Sequence, residues 1–297
     1  TKQPPLLRKR PPTISYEFYP PKTEKGAEKL YPVIKDLESC RPSFVSVTYG
    51  AGGTTRDLTH QLVRRILSDT SIPPVPHLTC VAHTESEIHD ILTQYAVAGV
   101  DTILALRGDP PANDPNYDRS TDTFQYAGDL VRFIRAFNEA NAHPRDGFGI
   151  GVAGFPEGHP ETQNRVIEMD HLRAKIDSGA DYICTQLFFD NHDFFDFRDR
   201  CELAGIKVPI IAGIMPITTA SGMKRMAELA AGARYPARLL KRLRNLGDDP
   251  AGFEAAGIQY ATEQCQELID HEVDGIHFYT LNKSTATLEI ARRLNLA

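Results

Sequence analysis

Cysteine is scarce in this chain, and no spacing pairs what there is. Cys40, Cys80, Cys184, Cys201 and Cys265 stand singly along 297 residues. An odd, scattered set excludes a disulfide framework and a zinc-ligand pattern. Cys80 and Cys184 lie in apolar runs and read as small buried hydrophobes. Long apolar stretches are missing too, so no segment is read as spanning a bilayer, and no signal-peptide pattern opens the chain. Positive charge is in deficit, with a net charge of −6 and a pI near 5.9. That balance argues against a nucleic-acid surface. These absences predict a cytoplasmic protein with neither a membrane segment nor a nucleic-acid partner. The first residue is Thr1, which points to a processed or trimmed N-terminus. Neither a strong internal repeat nor a low-complexity linker is visible, so residues 13–297 read as one domain. Ahead of them, Thr1–Pro12 carries four prolines and four basic residues with little to bury, and reads as a flexible basic arm.

What is present is alternation. Strand-like runs fall at Thr13–Phe18, Phe44–Tyr49, Val75–Cys80, Thr102–Leu106, Phe148–Ala153, Tyr182–Leu187, Pro209–Ile214 and Gly275–Tyr279. Helical patterns lie between them at Glu24–Ser39, Thr55–Ser68, Thr84–Ala98 and Asn191–Ala204, and within Thr121–Asn141 and Thr162–Ser178. Residues 218–272 are mostly helical, and Ser284–Leu294 closes the series. Thr84 or Ser86 suits a helix cap. Strands alternating with helices demand parallel pairing through right-handed crossovers. Eight such units in this length match a closed (β/α)8 TIM barrel, an α/β fold. A doubly wound open sheet has a two-half organisation that is not seen here.

The stretch Asp101–Pro111 sets the pattern for function. Thr102–Leu106 suits a strand buried on both faces. Arg107 and Asp109 follow at its exit, and Pro110 and Pro111 force the chain out of the ladder. A surface Arg–Asp pair reads these residues equally well. The arrangement recurs, however. Strand ends offer Glu17, Thr48 and Tyr49, His77, Arg107 and Asp109, Phe155 to His159, Gln186, Met215, and Tyr279 to Lys283. In a barrel those ends form the active-site face.

Glu17 lies between Tyr16 and Phe18. A carboxylate among aromatic groups loses solvation, which favours the neutral acid and suits a general acid. A Glu paired with Arg or Lys elsewhere in the barrel is the plainer reading. Gln186 ends an apolar strand and can read a heterocycle edge, or cap a neighbouring element. His77 and His159 have no metal-ligand spacing. Gly149-Ile-Gly-Val-Ala-Gly154 matches a dinucleotide fingerprint literally, yet its glycines fall inside a strand and Phe155-Pro156 follows where a helix should open. Gly50-Ala-Gly-Gly-Thr-Thr55 does join a strand to a helix. Its amides suit an anion, and turn punctuation with a Thr cap explains it as well.

Taken together, these stretches resemble the methylenetetrahydrofolate reductase family. The carrying segments are Glu17-Phe-Tyr-Pro-Pro-Lys-Thr, Val47-Thr-Tyr-Gly-Ala, His77-Leu-Thr-Cys, Ala105-Leu-Arg-Gly-Asp-Pro, Phe155-Pro-Glu-Gly-His-Pro-Glu, Thr185-Gln-Leu-Phe-Phe-Asp, Gly213-Ile-Met-Pro-Ile and His277-Phe-Tyr-Thr-Leu-Asn. They run in family order across nearly the whole chain. The resemblance implies a (β/α)8 barrel that holds FAD. It implies reduction of 5,10-methylenetetrahydrofolate to 5-methyltetrahydrofolate with NAD(P)H, by ping-pong hydride transfer and without a metal. Glu17 matches the general acid that protonates folate N10. Asp109 matches the carboxylate near flavin N1, and Gln186 the residue contacting pterin and nicotinamide.

Thr48, Tyr49, Ala51, His77, Arg107, Gly108, Ala127, Phe155, His159, Glu168, His171 and Lys175 match positions near FAD or the substrates, Lys175 as a partner for the diphosphate. Tyr279 and Lys283 match the substrate side. Glu168 stands where bacterial members often carry Asp, Phe155 where Tyr is common, and Lys283 where many have Arg. No Gln near Gly222 answers the one that some members carry after the seventh strand. The resemblance also implies a homo-oligomer. Eukaryotic members carry a further domain, and this chain is expected to be the short, bacterial-type form. Two other readings use the same barrel: a flavin-free pterin-binding methyltransferase, and a non-catalytic flavin- or folate-binding subunit.

Overall fold

The computed structural model describes residues 11–50, 55–111, 114–140, 142–162, 164–229, 233–246 and 249–296. Its strands are β1 (Thr13–Phe18), β2 (Phe44–Val47), β3 (Pro74–Thr79), β4 (Thr102–Leu106), β5 (Gly149–Gly154), β6 (Tyr182–Thr185), β7 (Ile210–Ile214) and β8 (Gly275–Tyr279). They pair in parallel, in chain order, and close into a barrel. The closing pair sets Ser15 beside His277 and Glu17 beside Tyr279. The helices are α1 (Glu24–Glu38), α2 (Arg56–Asp69), α3 (Glu85–Ala98), α4 (Ala127–Glu139), α5 (Arg165–Asp177), α6 (Asn191–Leu203), α7 (Ala220–Leu229), α8 (Ala237–Leu243), α9 (Pro250–Asp270) and α10 (Thr285–Arg293). Among the described residues no helix is long and apolar enough to cross a membrane.

Local chemistry fixes these boundaries. Thr84 caps α3 in a capping box: its side chain accepts from the Glu87 N–H, and the Glu87 carboxylate accepts from the Thr84 N–H at 2.9 Å. Gly99 then ends α3 in the left-handed region that glycine favours. Asp249 caps α9, whose first turn opens on Pro250.

Two cores follow from the period of two along each strand. Ile14, Tyr16 and Phe18 of β1 face outward and join the buried layer with Leu30, Ile34 and Leu37 of α1. The alternate residues, Ser15 and Glu17, face the barrel axis. There Val75, Leu104 and Cys184 pack with Phe44, Leu106 and Tyr182. All five cysteines are buried and free. The Gly149–Gly154 run is β5 itself, as its apolar context predicts. A Cβ on Gly151 would lie 2.3 Å from the Tyr182 ring, so this glycine makes room for an inward tyrosine. The basic arm falls mostly on residues 1–10, outside the described residues.

Candidate active site

The strands' C-terminal ends gather the ionisable groups into two neighbourhoods. The first lies over the barrel axis. Glu17 Oε2 is 3.5 Å from His77 Nε2 and 3.9 Å from His277 Nε2. The Glu17 side chain is 20% exposed, and it meets imidazoles where the sequence context promised aromatic hydrocarbon. The reason is strand geometry: Tyr16 and Phe18 are on the opposite face, and Tyr16 stacks on Phe278 behind the sheet. The Arg or Lys partner of the plainer reading is likewise replaced by histidines. Burial pushes His77 below the usual imidazole range, against the pull of the Glu17 charge.

Tyr279 donates its hydroxyl to the Thr185 carbonyl at 2.7 Å, which ties β8 to β6 across the mouth. Burial holds that phenol well above its ordinary range. Gln186 follows β6 directly. Its N–H donates to the Gly154 carbonyl at 2.8 Å, and its Oε1 accepts from the Leu187 N–H at 2.9 Å. The amide nitrogen stays available to a ligand, so Gln186 serves as a local cap and keeps a donor.

The second neighbourhood lies between β4, β5 and α5. Arg107 donates to Glu161 at 2.5 Å, and this guanidinium holds the Glu161 carboxyl below the usual range. Phe155 packs edge-on against the His159 ring at 4.6 Å. His159 Nδ1 accepts from the Glu161 N–H at 3.1 Å, which leaves Nε2–H as its donor. Burial, with Arg107 and Lys175 adding, lowers the His159 pKa, while Glu161 and then Asp109 oppose. Asp109 itself is exposed beyond β4. Glu168 is buried, and one of its oxygens accepts from the His159 N–H at 3.1 Å. Burial raises its pKa, against Arg165 and Arg200. Lys175 Nζ donates to the Ala153 carbonyl at 2.6 Å, and burial pulls its pKa down to about 8.

The remaining positions lie around these. Thr48 receives the Thr59 hydroxyl on its carbonyl at 2.9 Å. Tyr49 meets His83 Nε2 through its hydroxyl at 3.1 Å. The Gly108 carbonyl accepts from Arg119 at 2.6 Å. Ala127 begins α4, and the Tyr126 ring before it sits 6.4 Å from the His171 ring. Lys283 is exposed, and its N–H donates to the Thr280 carbonyl at 3.1 Å. Met215 is buried among apolar side chains. Ala51, with the glycines after it, lies outside the described residues. Two partners went unassigned in the sequence. Glu161 is in the segment that follows Phe155. His277 shares a face with Tyr279 two residues on, and that offset was the available signal.

A closed eight-stranded barrel with a carboxylate, imidazoles and cations at its C-terminal mouth defines a (β/α)8 protein built to hold ligands at that face. The chain belongs to the methylenetetrahydrofolate reductase family, whose model matches residues 4–295. Among its relatives, methylenetetrahydrofolate reductase 1 of Schizosaccharomyces pombe is 39% identical over 96% of this chain and 46% of its own length. The 5,10-methylenetetrahydrofolate reductase of Escherichia coli is 35% identical over 95% of this chain and 90% of its own. The chain thus spans about half the length of the fungal relative. In three dimensions it is similar to a Clostridium thermocellum protein described as binding two copies of 5-methyl-5,6,7,8-tetrahydrofolic acid. That likeness has a TM-score of 0.62 and 16% identity, and covers 96% of this chain and 95% of the other.

Proposed function

We propose that this chain reduces 5,10-methylenetetrahydrofolate to 5-methyltetrahydrofolate with NAD(P)H and bound FAD. The observation that carries the reading is Glu17, a carboxyl set between two imidazoles at the barrel mouth, in a family named for this reduction. The folate named for the Clostridium thermocellum protein adds support.

The residues present fit a flavin dinucleotide. Glu168 Oε2 is buried with no hydrogen-bond partner, an acceptor suited to a ribose hydroxyl. Arg107, His159 and Lys175 offer donors for a diphosphate, which this fold must bind without a glycine fingerprint. FAD would supply the two-electron relay that lets NAD(P)H and folate use one site in turn. The protein's part is binding and proton placement. Glu17 holds the proton for the substrate's N10. Asp109 would place negative charge beside the N1 end of a bound flavin. Gln186 offers its amide N–H groups to the pterin or the nicotinamide, with Tyr279 and Lys283 on the substrate side.

An absorbance spectrum followed by anaerobic NADH and NADPH titration tests the whole reading. Yellow protein that is bleached by a nicotinamide and recovers its colour with methylenetetrahydrofolate is the expected result. Colourless protein that transfers methyl groups would favour the methyltransferase, and yellow protein inert to NAD(P)H a binding subunit.

Two substitutions probe the cofactor side. Lys175→Ala is expected to weaken FAD retention by removing a cation. In the unsubstituted protein, affinity should fall as pH rises above about 8, where free Lys175 loses its proton. The sign follows from linkage, because a bound diphosphate holds that proton and the free site gives it up. Titration of the apoprotein across pH checks both points, and an unchanged profile in Lys175→Ala removes the residue from the site. Asp109→Asn should raise the midpoint potential of bound flavin, since it removes charge that opposes an anionic reduced ring. Spectroelectrochemistry showing no rise would contradict that placement.

A further inference from the structure

Side chains fasten the turn after β8 to the end of β1, and the roles above leave that fastening unused. Glu17 and Tyr279 are the last register partners of the two strands. Beyond them Thr280 donates its hydroxyl to the Glu17 carbonyl at 2.6 Å and accepts from the Asn282 N–H at 3.1 Å. Asn282 then reaches across with its amide. Its Oδ1 accepts from the Tyr19 N–H at 2.9 Å, and its Nδ2 donates to the Tyr19 carbonyl at 2.8 Å. Each of these bonds has a backbone group at one end, which can only donate or only accept, so the direction of every bond is fixed.

The backbone is shaped for this clasp. Leu281 and Asn282 have φ of +49° and +58°, and the Lys283 N–H closes the turn on the Thr280 carbonyl at 3.1 Å. Two successive left-handed residues make the mirror-image turn that Asn and Gly favour. Tyr19 is 47% and Leu281 44% exposed. Water reaches this rim, so the polar groups do not need one another for want of solvent. What the clasp adds is geometry.

That geometry links two groups of the reaction. Glu17 stands two residues before Tyr19, and Lys283 follows Asn282 directly. We propose that Asn282 is a positioning residue: its amide locks the turn that carries Lys283 onto the strand end that carries Glu17, so that a bound folate meets the cation and the acid at one fixed spacing. The inference rests on the roles given to Lys283 and Glu17 above. Folates carry their negative charge on carboxylates, so a wandering ammonium costs affinity, and a loosely seated substrate meets Glu17 less often. Thr280 and Ser284 stay held on either side, the latter donating to Asp36 Oδ2 of α1 at 3.1 Å. Loss of the clasp therefore frees residues 281–283 and leaves the barrel intact.

Asn282→Gly is the test, because glycine accepts a φ of +58° and only the amide is lost. The holoenzyme variant should bind 5-methyltetrahydrofolate about three- to tenfold more weakly in equilibrium titration, and its folate half-reaction should slow by about tenfold at saturation. Flavin reduction by NAD(P)H, to which neither Glu17 nor Lys283 is assigned, should stay within about twofold. Lys283→Ala removes what the clasp positions, so in that background Asn282→Gly should weaken folate binding by less than about twofold further. Unchanged affinity in Asn282→Gly, full additivity with Lys283→Ala, or equal slowing of both half-reactions overturns the proposal, because a turn that only supports the fold acts without Lys283. Hydrogen exchange reads the clasp itself. The Tyr19 amide should be protected despite its exposed rim and lose that protection in Asn282→Gly. An unprotected amide in the unsubstituted protein also overturns the proposal. If the unsubstituted protein binds 5-methyltetrahydrofolate but reduces no methylenetetrahydrofolate, the function proposed above falls, while the affinity cycle still decides the clasp.

Discussion

Glu17→Gln is expected to leave flavin reduction by NAD(P)H nearly unchanged and to slow the folate half-reaction by about 10² to 10⁴, the worth of a positioned acid. Only one half-reaction needs a proton delivered to substrate. Hydride transfer from a nicotinamide needs alignment and no acid. Opening the folate ring needs a proton on N10, a weakly basic aniline-type nitrogen. Glutamine keeps the shape at a position 3.5 Å from His77 and removes the transferable proton. FAD should remain bound, since Glu17 lies over the axis and the groups proposed to hold the dinucleotide lie between β4 and α5. Stopped-flow measurement of each half-reaction separates the cases. Equal slowing of both would make Glu17 a structural or flavin-positioning residue. No slowing of either would move the acid to another group.

Gly257→Ala should lower stability by about 2 kcal/mol, the middle of the range for overpacked cores. In an open helix the same change gains about 1 kcal/mol. Here the added Cβ would sit 1.7 Å from the Ile217 carbonyl oxygen. A backbone carbonyl cannot swing aside as a side chain does, so the overlap outweighs the propensity gain. α9 must move away from the segment after β7 and loosen the packing of its Phe253 and Tyr260 against Met215 and Ile217. A loss of that size corresponds to a Tm lower by roughly 4–8 °C. The shift also reaches the site, because Gln264 donates to the Phe188 carbonyl at 3.0 Å, two residues beyond Gln186. Thermal and denaturant unfolding check it, and an unchanged or higher Tm would show that α9 is not seated on Ile217.

The strands were legible because their periods are strong. Thr13–Phe18, Thr102–Leu106 and Gly275–Tyr279 stand at the boundaries that the sequence predicts. β2 and β6 stop two residues sooner than expected, at Val47 and Thr185. Thr48 and Gln186 still donate their N–H groups to the Phe18 and Gly154 carbonyls of the neighbouring strands, and Tyr49 and Leu187 beyond them are buried outside the ladder. The helical stretch 218–272 divides into three helices, with Pro236 and Pro250 at the starts of the second and third. What the sequence hid was direction. Tyr16 and Phe18 adjoin Glu17 in the chain and face away from it in the barrel. His77 and His277 are 60 or more residues distant and meet it. Composition around a strand residue reports both faces at once, and only closure of the sheet tells them apart.

That closure also has a consequence for synthesis. Ser15 and Ile276, joined in the first and last strands, are 261 residues apart. At about 5–20 residues per second, a ribosome needs roughly 13–52 seconds to make the intervening chain. Throughout that interval β1 has one unpaired edge, and the growing sheet presents another at its newest strand. Such edges are templates for wrong pairing, so the nascent protein is most exposed to misassembly late in translation. The setting of Glu17 between two imidazoles does not exist until β8 has emerged. A chain arrested before Gly275 would lack His277 and Tyr279 and carry two open edges, a species for chaperones or proteases.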